Sequence, residues 1–212
     1  MADAPPLLDV LNDARNVLVS ADSLTATKDA ACGALLARAP PDETTLLAVT
    51  YDRPGGEWLE HARAALGGEA ETEWVVDASG TTSGEQPSAV TTAQPDDLTG
   101  IQIGLSEAMP VDGTAVFCLD SLTTMLQYTE PTTSFQFVNE LLGRLWNAGV
   151  NAHMHFDADA HDQSTVRSLA SLFDAVVVSE DSEVPMPTDP ATVGDTQVAV
   201  ATRLRAETEG ND

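Results

Sequence analysis

The stretch Thr114-Ala115-Val116-Phe117-Cys118-Leu119-Asp120-Ser121-Leu122-Thr123 decides the fold. Its first six residues form the most apolar run of the chain, and they read as a strand covered on both faces. Working outward, similar runs recur at Asn16–Ser20, Thr44–Tyr51, Thr72–Val76, Asn151–Phe156, Ala175–Ser179 and Gln197–Leu204. Between them lie segments of helical spacing. One runs from about Lys28 to Ala39 and stops at Pro40-Pro41; another carries Trp58, Leu59, Ala62, Ala65 and Leu66 and ends at Gly67-Gly68. Further helices are expected over Asp97–Ala108, over Ser134–Asn147 with Gly149 behind it, and over Asp162–Phe173 with Asp162 as N-cap. Buried strands alternating with helices define an α/β fold, a mainly parallel sheet flanked by helices on both faces.

The 212 residues suffice for one domain. Residues 1–15 read as an N-terminal extension, 16–204 as the domain and 205–212 as a tail. Mobile loops are expected near 78–97, where large apolar residues are nearly absent, and near 180–195, which is acidic and Pro-rich. Nine Lys and Arg stand against 34 Asp and Glu, a formal net charge of −25. Such a surface repels itself in dilute buffer and is screened at molar salt, where the Debye length is about 3 Å. With 42% hydrophobic residues in periodic runs, the chain reads as an ordered, halophilic, acidic protein rather than a disordered one. The same charge argues against nucleic acid and anionic membrane surfaces as partners, since both are bound through Lys and Arg. No charged-then-apolar leader is present and no apolar run approaches ~18 residues, which predicts a soluble cytoplasmic protein. Cys32 and Cys118 each sit in an apolar stretch and read as two buried reduced thiols, in preference to a disulfide or a metal pair.

In parallel sheets ligands bind at the carboxyl ends of the strands. That edge holds Asp120 and Ser121, the Tyr51–Pro54 turn, the Phe156–Asp162 segment and the Ser20–Lys28 turn. An apolar strand ending in Asp is the Walker B pattern, in which the carboxylate holds Mg²⁺ beside a triphosphate. The matching phosphate loop, G-x-x-x-x-G-K-[ST], aligns with Asp22-Ser23-Leu24-Thr25-Ala26-Thr27-Lys28-Asp29. The lysine is kept as Lys28. Both glycines are replaced, by Asp22 and Thr27, and Asp29 stands where a hydroxyl would meet the metal. A Cβ obstructs the close wrapping of backbone N–H groups around phosphate, and added carboxylates repel it.

These features together resemble the RecA/KaiC/RadA-like ATPase superfamily, and within it a group of short, acidic, haloarchaeal KaiC-like proteins lacking a standard Walker A. The resemblance is carried by Asn16-Val17-Leu18-Val19, Lys28, Val116-Phe117-Cys118-Leu119-Asp120-Ser121-Leu122-Thr123 and Leu169-Ala170-Ser171-Leu172-Phe173-Asp174-Ala175-Val176-Val177. It implies a P-loop NTPase core and a vestigial nucleotide site at Lys28, Thr27, Asp120 and Ser121. It also implies a water-activating glutamate after the second strand, where this chain offers only Asp52; Asp52 and Asp120 are then vestigial catalytic positions. Side-by-side homo-oligomers are a further implication.

A second constellation is His153-Met154-His155-Phe156-Asp157-Ala158-Asp159-Ala160-His161-Asp162. Were it to stay extended, His153, His155, Asp157, Asp159 and His161 would share one face, a donor set for a divalent metal. The alternative packs His153 and His155 under a helix and uses Asp157–Asp162 as a capping turn, with no metal; this is the expectation adopted. Arg144, Arg167, Arg203 and Arg205 read as salt-bridge partners. The functional expectation is a non-catalytic RecA/KaiC-like pseudo-ATPase, a regulatory or protein-interaction module that needs neither ATP nor Mg as cofactor. The alternatives are an ATPase with a divergent P-loop and a metal-dependent enzyme using residues 153–162. The carboxylate excess predicts that the thermal unfolding midpoint rises as KCl goes from dilute to molar; a midpoint that stays flat across that range contradicts salt adaptation.

Overall fold

Among the described residues eight strands, all parallel, form one sheet in the order β4-β3-β2-β5-β6-β1-β7-β8. The strands are β1 Asn16–Ser20, β2 Thr44–Thr50, β3 Thr72–Asp77, β4 Val90–Thr92, β5 Thr114–Asp120, β6 Asn151–Phe156, β7 Ala175–Ser179 and β8 Thr202–Leu204. The helices are α1 Ala26–Leu36, α2 Gly55–Leu66, α3 Leu98–Ser106, α4 Leu122–Tyr128, α5 Pro131–Asn147 and α6 Gln163–Ala170. This computed structural model describes residues 11, 14–21, 26–81, 86–110, 113–179 and 202–204. Asp22, the 180–195 loop, Arg205 and the 205–212 tail, together with most of the 1–15 extension, lie outside the described residues. Among the described residues no helix is long and apolar enough to cross a membrane.

The path of the chain explains the layering. From β1 it moves outward to β2, β3 and β4, then turns back through β5 and β6 and passes β1 to reach β7 and β8. Right-handed crossovers put helices made on the outward leg on one face and those of the return leg on the other. Accordingly Leu35 and Leu36 of α1 and Trp58 and Leu59 of α2 pack against one face, with Val17, Leu46, Val75 and Val116 beneath them. Ile101 of α3, Met125 of α4, Leu141 of α5 and Leu169 of α6 pack on the other, over Leu47, Phe117, Met154 and Val176. β1 marks the reversal, and its carboxyl end is the topological switch point.

Two elements differ from the sequence expectation. The 78–97 segment contains β4, whose Val90, Thr91 and Thr92 pair with Val75, Val76 and Asp77 of β3. Its three residues are too few to show a period, though branching at Cβ suits an edge strand. The short helix α4 follows Asp120 directly and was not expected, because a single apolar face over seven residues gives little periodic signal. Gly149, with φ +76°, ends α5 in the left-handed conformation expected of it.

The Phe173-Asp174-Ala175 segment has a local cause. The Asp174 carboxylate accepts from the backbone N–H groups of Arg15 (3.1 Å) and Asn16 (2.9 Å), while its own N–H donates to Asn16 O at 2.9 Å. It thereby fixes where β1 enters beside β7. Asp174→Ala is expected to lower the urea midpoint with an unchanged m-value, by about 1.5–3 kcal/mol for charge-assisted bonds; a loss no larger than that of an ordinary surface substitution contradicts this role.

Candidate functional site

The carboxyl ends of β2 and β5 and the first turn of α1 converge on one ion cluster. Lys28, the third residue of α1, is 3% exposed although its side chain ends in a charge. Its Nζ lies 2.5 Å from Asp120 Oδ1 and 3.1 Å from Asp52 Oδ2. Arg53 Nε approaches Asp120 Oδ2 at 3.8 Å. Two cations thus face two carboxylates, and the cluster is close to neutral. Asp52 sits at the rim: the residue is exposed, yet its side chain is only 18% exposed. Its Oδ1 accepts from the Ser121 hydroxyl at 3.1 Å and from the Thr124 hydroxyl.

Burial pulls the Lys28 ammonium down in pKa, but Asp120 and Asp52 outweigh it, and the net effect is upward. Burial likewise pushes Asp52 up, and the Thr124 hydroxyl, Lys28 and the Ser121 hydroxyl together bring it below the ordinary carboxylate value. The signs follow by linkage. Asp52 contributes stability above the ordinary Asp pKa and loses it as pH falls through its lowered value. Lys28 contributes below the ordinary Lys pKa and loses it as pH rises through its raised value. Between these limits both groups are charged and both contributions are present.

Each residue of Asp120-Ser121-Leu122-Thr123 has a separate task. Asp120 meets Lys28, and its carbonyl accepts from Tyr51 N–H at 2.6 Å. Ser121 caps α4 by accepting from Thr124 N–H at 3.3 Å, and the peptide joining it to Asp120 is cis. Leu122 is buried in the core beside Phe117 and Leu119. The Thr123 hydroxyl accepts from Asp157 N–H at 2.7 Å, tying the turn after β6 to that after β5.

Of the residues assigned to the vestigial nucleotide site, Lys28, Asp120 and Ser121 therefore come together, with Asp52 completing the set. Thr27 is placed in the first turn of α1; its side chain lies outside the described residues. Asp29 pairs instead with His61 of α2 at 3.5 Å, both groups being well exposed. Arg144 makes its expected ion pair, with Glu140 one turn earlier at 2.7 Å, whereas Arg167 bonds the neutral Gln163 at 3.4 Å. The Arg203 side chain is outside the described residues. Arg53 and Thr124 were missed. Thr124 had a signal, since Ser-Leu-Thr-Thr after a strand is an N-cap sequence.

The second constellation divides. The chain does not stay extended beyond Phe156: Ala158–Ala160 form a 3-10 turn, with Asp157 accepting from Asp159 N–H at 3.1 Å. His161 stacks on Phe156 with ring centroids 4.9 Å apart, and Phe156 faces the side of α5 and α6. His153 and His155 point the other way, beneath α1, at 1% and 2% exposure. There they meet the two cysteines. Cys118 is the β5 partner of His153 in the sheet, and Cys32 comes down from α1 to place its Sγ 3.4 Å from His153 Nε2. One ligand atom from each of Cys32, Cys118, His153 and His155 lies within 4.8 Å of every other. The thiols are free and buried, as the sequence implied, but they are adjacent. Burial holds His153 below its ordinary pKa. Among the thiols, Cys32 is the one held low, by its hydrogen bond to Cys118 and the two imidazoles, while burial pushes Cys118 up.

Fold and site define a doubly wound α/β protein whose switch-point edge is closed by buried ion pairs. Over residues 14–178, from just before β1 to near the end of β7, the chain matches DUF7504, a family of unknown function, and it belongs to that family. No curated protein and no solved structure matches it.

Among the described residues, removing Lys28 leaves Asp120 as a buried charge facing only Arg53. Lys28→Met is expected to cost about 3–5 kcal/mol at neutral pH. Lys28→Met combined with Asp120→Asn should cost clearly less than the sum of the two single changes. Additive losses in that denaturation cycle would mean the pair is not coupled.

Proposed function

We propose that this protein is a non-catalytic member of the RecA/KaiC-like group, a pseudo-ATPase that acts through protein contacts in a halophilic cell. The observation that carries the reading is the engagement of Lys28 by Asp120 and Asp52. In a working phosphate loop this ammonium meets the β- and γ-phosphates and the strand-tip carboxylate serves Mg²⁺. Here each is the other's counter-ion. A triphosphate would have to part them and then lie against two carboxylates. One like charge at ~4 Å costs about 4 kcal/mol at an effective dielectric near 20, roughly a thousandfold in affinity. The 3% exposure of both Lys28 and Asp120 limits how far salt can screen that cost.

Ile103 of α3 at 59% exposure and Tyr128 of α4 at 47% are the side chains on the opposite layer that a protein partner would cover. The metal-enzyme alternative loses support from the separation of His161 from His153 and His155, and from burial of the latter two, which denies a substrate access. The divergent-ATPase alternative draws on the same Lys28–Asp120 proximity, and calorimetry separates it from the reading adopted. In molar KCl, ATP·Mg is expected to bind more weakly than millimolar and to be hydrolysed at no measurable rate. Micromolar binding that disappears in Lys28→Ala would establish the ATPase instead.

A further inference from the structure

We propose that Cys32, Cys118, His153 and His155 form a closed, four-coordinate site for a single Zn²⁺ ion, which clamps α1 to β5 and β6. The inference is independent of the nucleotide-site reading and uses none of its residues.

The donor set is the first argument. Two cysteine sulfurs and two imidazole nitrogens are the ligand set of structural zinc, and four protein ligands leave no open position for a substrate or water. Two thiolates balance the ion's charge, so the occupied site is neutral, as a position at 0–6% exposure demands. Geometry is the second argument. Bonds of about 2.0 Å to nitrogen and 2.3 Å to sulfur put tetrahedral ligands about 3.3–3.8 Å apart. Cys32 Sγ and His153 Nε2 are already 3.4 Å apart, and the widest pair, within 4.8 Å, closes by about an ångström. That spacing suits one ion rather than a two-metal cluster.

The third argument is what the site otherwise lacks. His155 is 2% exposed, and among the described residues neither of its ring nitrogens has a hydrogen-bond partner. Leaving buried polar atoms unpaired is costly, and native structures rarely do so. Val17 and Val19 of β1 flank the two histidines in register, and the two thiols lie within 4.8 Å of a nitrogen of each ring. An ion at the centre of the four groups gives His155 the partner it is missing. His153 and His155, two apart on β6, face the same way, and Cys118 stands beside His153 on β5. Cys32 is therefore the only ligand from outside the sheet, which is why the ion would act as a clamp on α1.

The test uses the full chain, made without a histidine tag and kept reduced in molar KCl. Elemental analysis is expected to find one equivalent of zinc per chain, retained on dialysis and released when the thiols are blocked with a mercurial. Co²⁺ supplied in its place should give visible absorption of tetrahedral cobalt and a thiolate-to-cobalt charge-transfer band. Cys118→Ser and His155→Ala should each lose the equivalent, while His161→Ala and His61→Ala keep it. Should the first two variants fail to fold, the cobalt spectrum of the unaltered protein still decides, because the charge-transfer band requires bound thiolate. The proposal is overturned by reduced protein that holds no zinc and takes up no Co²⁺, by cobalt bound without thiolate absorption, by a Cys32–Cys118 disulfide as the form that folds, or by full zinc occupancy in His155→Ala.

Discussion

A lysine ammonium at 3% exposure has to bring its own counter-charge, and in this protein that requirement governs the whole carboxyl edge of the sheet. Lys28 belongs to the helix that follows β1, and Asp120 ends a strand two positions away in the sheet, with β6 between them. For the two to meet at 2.5 Å, α1 must lie across β6 rather than along β1 alone. It does: α1 touches β1, β5 and β6 as well as α2. Asp52, Ser121 and Thr124 are then drawn around the pair as second carboxylate and hydroxyl donors. The tip of the sheet is thus organised by charge pairing.

The sheet was largely legible because buried parallel strands are continuous apolar runs, and β1, β6 and β7 begin and end where the sequence places them. What escaped reading had weak local signals. β4 is three residues long, and α4 is hidden behind a strand-end motif whose Asp suggests metal binding before it suggests a cap. The site was half legible. Lys28, Asp120 and Ser121 could be named from the Walker patterns, and Asp52 from what the RecA/KaiC resemblance implies for the turn after β2. That the lysine would be consumed by the two acids could not, since it depends on how α1 leans. The turn at Ala158–Ala160 defeated the reading of residues 153–162, because a period of two holds only while the chain stays extended.

Cysteine pairing was the least legible feature. Cys32 and His153 are 121 residues apart, and each looks like an ordinary core residue in its own surroundings. Their meeting follows from the same lean of α1. Cys32 is one helical turn from Lys28, and Cys118 is two residues from Asp120 on the same side of β5. Helix and strand therefore present matched polar residues at two levels, charged at the edge and ligand-like below it.

These two levels have a mechanical consequence. On this face the apolar packing falls into separate groups, one around Leu46, Trp58 and Val116 and one around Val17, Leu35 and Val177. His153 and His155 lie along the seam. Only α1 belongs to both groups, giving Cys32 and Leu36 to the first and Ala31 and Leu35 to the second. The helix is a keystone: lifting it breaks the edge ion pairs, uncovers the seam and strips both groups at once. Opening α1 gives up contacts in both groups at once, so its interior amide protons should be among the slowest on this face to exchange with solvent.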